Sequence, residues 1–195
     1  MCGPLSDGDA ANTEQSILLL IHSHVPNRLT DVFHTITFTG SAAFLVPLTA
    51  ATVIGLLVAR RRFEAALVSS SVISGAAIVY LLKAAVGRAR PDLWDAEWYW
   101  GSSFPSGHTL EVAAFATSAL VCIGRICPAQ RGVAAAVMGI WIALVAMSRL
   151  VLGAHWLSDV AAAVGIGTCL PFAMMFGRRL FVRSQQPDTR SKMEP

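Results

Sequence analysis

Charged residues divide this chain into long apolar runs. Phe38 to Ala59 is the first, closed by Arg60, Arg61 and Arg62. Ala65 to Leu82 follows, between Glu64 and Lys83. Val112 to Gly124 lies between Glu111 and Arg125, and its helix is expected to begin a turn earlier, near Gly107. Gly132 to Ser148 lies between Arg131 and Arg149, and Val160 to Gly177 between Asp159 and Arg178. A membrane-spanning helix needs about 20 mostly apolar residues, with a range of roughly 17–25. Four of the runs qualify alone or with a flanking residue or two, and the third qualifies once its polar start is included. The runs are rich in Ala, Gly, Ser and Thr, which let helices approach closely within a bilayer.

Composition separates this pattern from that of a buried bundle in water. Hydrophobic residues make up 54% of the chain and charged residues 14%, whereas a soluble domain carries about 25% charged residues. Five such runs within 195 residues would leave a soluble bundle almost no wet face. The expected fold is therefore all-α, a polytopic transmembrane bundle of about five spans. The stretch "SILLLIHSHVPNRLTDVFHTI" (Ser16 to Ile36) is too short and interrupted to span and is expected as a helix lying in the outer interface. The chain thus divides into a polar and interfacial segment (1–37), a membrane domain (38–177) and a basic tail (178–195) that is expected to be disordered from Ser184.

The net charge of +3 is modest, but its placement is informative. Arg60 to Arg62 separate the first and second spans, Arg125 and Arg131 the third and fourth, and Arg178, Arg179, Arg183, Arg190 and Lys192 follow the fifth. With alternating helices, all three clusters share one side, which the positive-inside rule makes cytoplasmic. The loop between the second and third spans then faces outward. It carries Trp94, Trp98, Tyr99 and Trp100, ring types that suit a membrane interface or a lipid headgroup site.

The four cysteines, Cys2, Cys122, Cys127 and Cys169, form no C-x-x-C pair and suggest neither a disulfide framework nor a zinc site. The polar, acidic start lacks the basic n-region of a cleavable signal peptide. His22 and His24 form an H-x-H without an acidic or cysteine partner at ligand spacing, so they read as interfacial polar residues.

The outward ends of the spans hold the unusual residues. Lys83 ends the second span, Arg88 and Arg90 follow in the loop, and Ser106, Gly107 and His108 open the third. Arg149 ends the fourth, and His155 and Asp159 open the fifth. Alternation alone puts all of them on one membrane face. Cations at membrane depth are costly and need a partner, and Lys83, Arg90 and Arg149 would repel one another unless an anion sat between them. A helix N-terminus at Gly107 offers free N–H groups and a positive dipole end, suited to phosphate. Gly107 permits close backbone approach, and Ser106 supplies a hydroxyl. His155 and Asp159 are four apart and share one helix face. A carboxylate there can hold one imidazole nitrogen and leave the other free to attack. Residue by residue, each has a plainer explanation: snorkelling cations, a helix-capping His108, a structural His155–Asp159 pair.

At these residues the chain resembles the type-2 phosphatidic acid phosphatase and vanadium haloperoxidase superfamily. The three motifs of that superfamily, K-x6-R-P, P-S-G-H and S-R-x5-H-x3-D, read here as "KAAVGRARP" (Lys83 to Pro91), "PSGH" (Pro105 to His108) and "SRLVLGAHWLSD" (Ser148 to Asp159). All are complete, in order and correctly spaced. The resemblance implies that His155 attacks phosphorus to form a phosphohistidine and that Asp159 orients it. It implies that His108 protonates the departing lipid oxygen and then activates water. Lys83, Arg90, Ser106, Gly107 and Arg149 would bind the phosphate oxygens. Fixed cations would take the part that magnesium plays elsewhere, so neither a metal nor another cofactor is expected. Many bacterial members resemble a six-span plan, which leaves the expectation that the true start lies upstream. Glu111, one turn into the third span, suits the helix dipole yet adds negative charge near the pocket, where it would read a headgroup cation or tune His108.

These features imply a multi-pass cell-membrane enzyme whose partners are membrane lipids, not nucleic acid. Its substrate would be a lipid phosphate or diphosphate of the outer leaflet. Undecaprenyl diphosphate, phosphatidylglycerophosphate, phosphatidic acid and a diacylglycerol diphosphate are the candidates. A phosphotransferase would use the same phosphohistidine. A haloperoxidase has no need of a lipid-embedded pocket. A non-catalytic lipid-binding protein would be expected to lack His155 or His108.

Overall fold

A computed structural model describes residues 7–94 and 101–184. Trp98, Tyr99 and Trp100, Cys2, and the tail beyond residue 184 lie outside the described residues. Among the described residues, seven α-helices follow one another: α1 (Asp7–His24), α2 (Thr30–Phe38), α3 (Ala42–Val58), α4 (Arg62–Val86), α5 (Gly107–Ile126), α6 (Arg131–Val151) and α7 (Leu157–Ser184). No strand occurs among the described residues. Among the described residues, five stretches are long and apolar enough to cross a membrane: Thr30–Val58, Arg62–Val86, Gly107–Ile126, Pro128–Val151 and Leu157–Arg179.

The bundle is organised around α5. Nearly every residue from Thr109 to Ser118 is buried, the half-buried Glu111 excepted. Its alanines let α7 and α4 close in. Gly167 of α7 sits so near the Leu110 carbonyl that a methyl group there would lie 2.5 Å from that oxygen. One apolar cluster joins Leu45, Leu67, Val68, Val112, Phe115 and Val145 across four helices. Val46, Ile54, Ile73, Val133, Ile140 and Phe172 point outward. In a bilayer such a rim meets lipid and costs nothing to expose. At one end the bundle is pinned by Arg125, which donates to Glu64 at 3.2 Å and lies over the Phe63 ring.

The N-terminal region departs from the sequence-based expectation. The stretch expected as one interfacial helix is two helices, broken at Pro26, whose preceding residue is sterically disfavoured in the helical region. The first of them, α1, begins upstream of Ser16. It packs through Leu18 against Leu150 and Val160, at the end of α6 and the start of α7. The second, α2, continues into α3 across a short corner at Thr39–Ser41, so the first span starts near Thr30 and not at Phe38. A bond from the Trp141 indole N–H to Thr39 Oγ1 (2.9 Å) ties that corner to α6.

Candidate active site

Four helix ends meet on the side of the bundle away from the Glu64–Arg125 pair. Lys83 occupies the last turn of α4, which stops because Gly87 takes the left-handed conformation (φ 61°). That turn swings the chain into Arg88 and Arg90. Ser106 stands at the N-cap position of α5 with an extended backbone, and Gly107 and His108 open its first turn. Arg149 closes α6. Gly153 then turns left-handed (φ 64°) under the Trp94 ring, where an added methyl group would lie 2.7 Å from a ring carbon, so only glycine fits. His155 follows at this corner, and Asp159 lies in the first turn of α7.

Within this corner the polar groups interlock. The His155 ring turns Nδ1 toward Asp159 Oδ2 (3.6 Å) and Ser103 Oγ (3.5 Å). Its Nε2 faces Arg90 Nη1 at 3.4 Å. Arg90 also donates to the carbonyls of Ala154 (2.7 Å) and Gly101 (3.1 Å), which aims its guanidinium at the imidazole. The Lys83 ammonium donates to the Ser102 carbonyl, beside Arg90. Arg149 donates from Nη1 to Thr37 Oγ1 of α2 at 2.7 Å. The Ser106 hydroxyl shares a hydrogen bond with Thr109, and the Ser106 amide donates to the Asp159 carbonyl (3.4 Å), joining the starts of α5 and α7. His108 lies within electrostatic reach of Arg149, His155, Arg90 and Lys83. The eight residues given a role from the sequence thus converge, on five segments, at one end of the bundle.

Burial sets the electrostatics. Arg149 and His155 are each 2% exposed and Asp159 is fully buried, and charges out of water require partners. Burial pushes the His155 imidazole down to about 4; the Asp159 contact opposes this, and the Arg149 and Arg90 charges add to it. His155 is therefore neutral at neutral pH, with its outer nitrogen unprotonated when Asp159 holds the proton on Nδ1.

Several contributors were given no role from the sequence, Arg88 among them. The Ser103 hydroxyl donates to Asp159 Oδ2, and the Trp156 amide donates to the same oxygen at 2.9 Å. Arg88 donates from Nη1 to Asp159 Oδ1 (2.6 Å) and from Nη2 to Glu14 Oε2 of α1 (2.6 Å). Thr37 holds Arg149. A signal for Glu14 exists in its spacing, since Glu14, Leu18 and Ile21 lie on one helical face. Ser103 and Thr37 carry no such mark. His22 stacks on the Trp94 ring at 4.2 Å, which anchors α1 to the loop after α4.

An all-helical membrane bundle with two histidines and four cations gathered at one end defines a class of multi-pass membrane proteins. The PAP2 superfamily profile matches residues 64–181, and this chain belongs to that superfamily. Phosphatidylglycerophosphatase B of Escherichia coli K12 is 39% identical over 70 residues, covering 36% of this chain and 26% of that protein. Lipid A 1-phosphatase of Rhizobium johnstonii is 33% identical over 130 residues, covering 60% of this chain and 50% of that protein. This chain therefore spans between about a quarter and a half of the length of these curated relatives. The crystal structure of a transmembrane PAP2-type phosphatidylglycerolphosphate phosphatase from Bacillus subtilis superposes with a TM-score of 0.80 at 22% identity, covering 94% of this chain and 90% of that one. At that identity the likeness establishes the fold.

Proposed function

We propose that this protein hydrolyses a lipid phosphate through a phosphohistidine formed on His155. The orientation of the His155 ring carries the reading: Nδ1 is turned to Asp159 and Nε2 to the cationic face of Arg90. A phosphate entering this face draws Arg90 from the imidazole to its own oxygens and places phosphorus before Nε2. Lys83, Arg149, the Ser106 hydroxyl and the amide at the start of α5 take the remaining oxygens. Fixed cations in a dry pocket stabilise the charge of phosphoryl transfer without reorganising.

The chemistry then runs in two steps. The Nε2 lone pair bonds to phosphorus as the phosphorus–lipid oxygen bond breaks, and its electron pair leaves on the lipid oxygen. That oxygen takes a proton from His108, which is held as the imidazolium by the bound phosphate dianion, releasing the lipid alcohol. Neutral His108 next removes a proton from a water molecule, whose oxygen attacks phosphorus. The phosphorus–nitrogen bond breaks, and its electrons return to Nε2. General acid–base assistance of this kind contributes about 10²–10⁴-fold.

The names of the relatives support a lipid phosphate as substrate, with phosphatidylglycerophosphate and a lipid A phosphate the first two to try. The arginine clusters at the other end of the bundle support a site open to the extracytoplasmic leaflet. Purified protein in detergent should release phosphate from phosphatidylglycerophosphate in EDTA, and His155→Ala should reduce release to background. Release lost in EDTA and restored by magnesium contradicts catalysis by fixed cations alone. Undiminished release by the variant contradicts the assignment of the nucleophile.

A further inference from the structure

We propose that Glu14 of α1 is a positioning residue for the nucleophile, acting through Arg88 on Asp159. Glu14 precedes all three motifs and lies outside the stretch the family profile matches. Both of its oxygens are engaged. Oε2 accepts from Arg88 Nη2 at 2.6 Å, and Oε1 accepts from the Ser158 amide in the first turn of α7 at 2.7 Å. The other terminal nitrogen of Arg88 donates to Asp159 Oδ1 (2.6 Å) and to the Ser158 hydroxyl (2.7 Å). The guanidinium is a rigid planar fork. Clamped by Glu14 on one side, it holds Asp159 from the side opposite the imidazole. Asp159 Oδ2 is left for Ser103, the Trp156 amide and His155 Nδ1.

The clamp has an electrostatic side as well as a steric one. Burial favours the neutral Glu14 carboxyl, but its bonds from Ser158 and Arg88 outweigh burial and hold it below the usual carboxylate range. Glu14 is therefore ionised at neutral pH and shares the Arg88 charge with Asp159. Without that negative charge, Arg88 would act on Asp159 alone. The pull of Asp159 on the His155 Nδ1 proton would weaken, leaving Nε2 a poorer nucleophile. Leu18 is fully buried against α6 and α7, and His22 stacks on Trp94, so α1 stays docked when only the charge of Glu14 is removed. The simpler role for Glu14, capping α7, predicts a loss of thermal stability and no change in chemistry.

This inference rests on the phosphohistidine mechanism, and rapid-quench kinetics on phosphatidylglycerophosphate separate the two. Glu14→Gln keeps an oxygen for the Ser158 amide and loses the charge. It should slow phosphohistidine formation about 10-fold, the scale of one hydrogen bond to a charged group, with KM within about twofold of wild type. In an Arg88→Gln background the same change should have little further effect, because the route through Arg88 is already cut. A wild-type protein that turns over without any phosphohistidine overturns the underlying mechanism. A wild-type phosphohistidine that Glu14→Gln forms equally fast overturns the role of Glu14 alone. A full Glu14→Gln effect that persists in the Arg88→Gln background overturns the route through Arg88.

Discussion

Asp159 is held at both carboxylate oxygens, and His155 depends on it. One oxygen takes Arg88; the other takes Ser103 and the Trp156 amide and faces His155 Nδ1. A carboxylate fixed at both oxygens cannot rotate away from the imidazole, which lets a single tautomer persist. Burial, set against the Asp159 contact and reinforced by the Arg149 and Arg90 charges, lowers His155 to about 4. Its folded-state value thus lies below the ordinary value near 6.5. The unfolded chain takes up the proton first as pH falls, so the stability contributed by neutral His155 is complete above about 6.5 and lost as pH falls toward about 4. An NMR titration of the His155 ring in detergent should show a midpoint well below 6; a midpoint at or above 6.5 would contradict the described burial. The motif residues were legible at this scale because chemistry restricts them to few residue types. Ser103 and Thr37 were not, since a serine or threonine beside a helix end has many ordinary uses.

Among the elements, α5 and α7 set the accuracy of the site, for His108 begins one and Asp159 lies in the first turn of the other. Their spacing is fixed by Gly167, where an added methyl group would meet the Leu110 carbonyl oxygen at 2.5 Å and the Ala113 methyl at 2.7 Å. Backbone on one side and a buried alanine on the other leave no side chain free to yield. Gly167→Ala should therefore push the helices apart, at a cost of about 1–3 kcal/mol typical of overpacking. Thermal unfolding in detergent should show a lowered midpoint together with reduced turnover; an unchanged midpoint would mean that the two helices are not so tightly opposed. The five spans were legible because the bilayer demands long uncharged runs, and their ends were marked by charge. The path from Ser16 to Ile36 was not, because α2 is too short to carry a spanning signal of its own. Only its packing on α6, through Thr37 and Arg149, places it in the bundle.

For the molecule as a whole, the bundle's topology does most of the chemical work. Helices that cross and return bring the end of α4, the start of α5, the end of α6 and the start of α7 to one end. Residues scattered from Lys83 to Asp159 thereby become neighbours. That juxtaposition followed from counting spans, and it is why most of the candidate site was legible in the sequence. The part that α1 plays depends on docking between segments 144 positions apart, as in the Ser158–Glu14 bond; the spacing of Glu14, Leu18 and Ile21 marks a helix face but not its partner. The arrangement leaves three fixed cations beside a neutral imidazole, with the opposing carboxylate already tied down. The most direct test of this account is to mix the protein with a lipid substrate bearing a labelled phosphate, quench within milliseconds, and map the label. It should appear as an acid-labile, alkali-stable phosphoramidate on His155 and be absent in His155→Ala. A wild-type protein that releases phosphate with no labelled intermediate, or with the label on any other side chain, would contradict it.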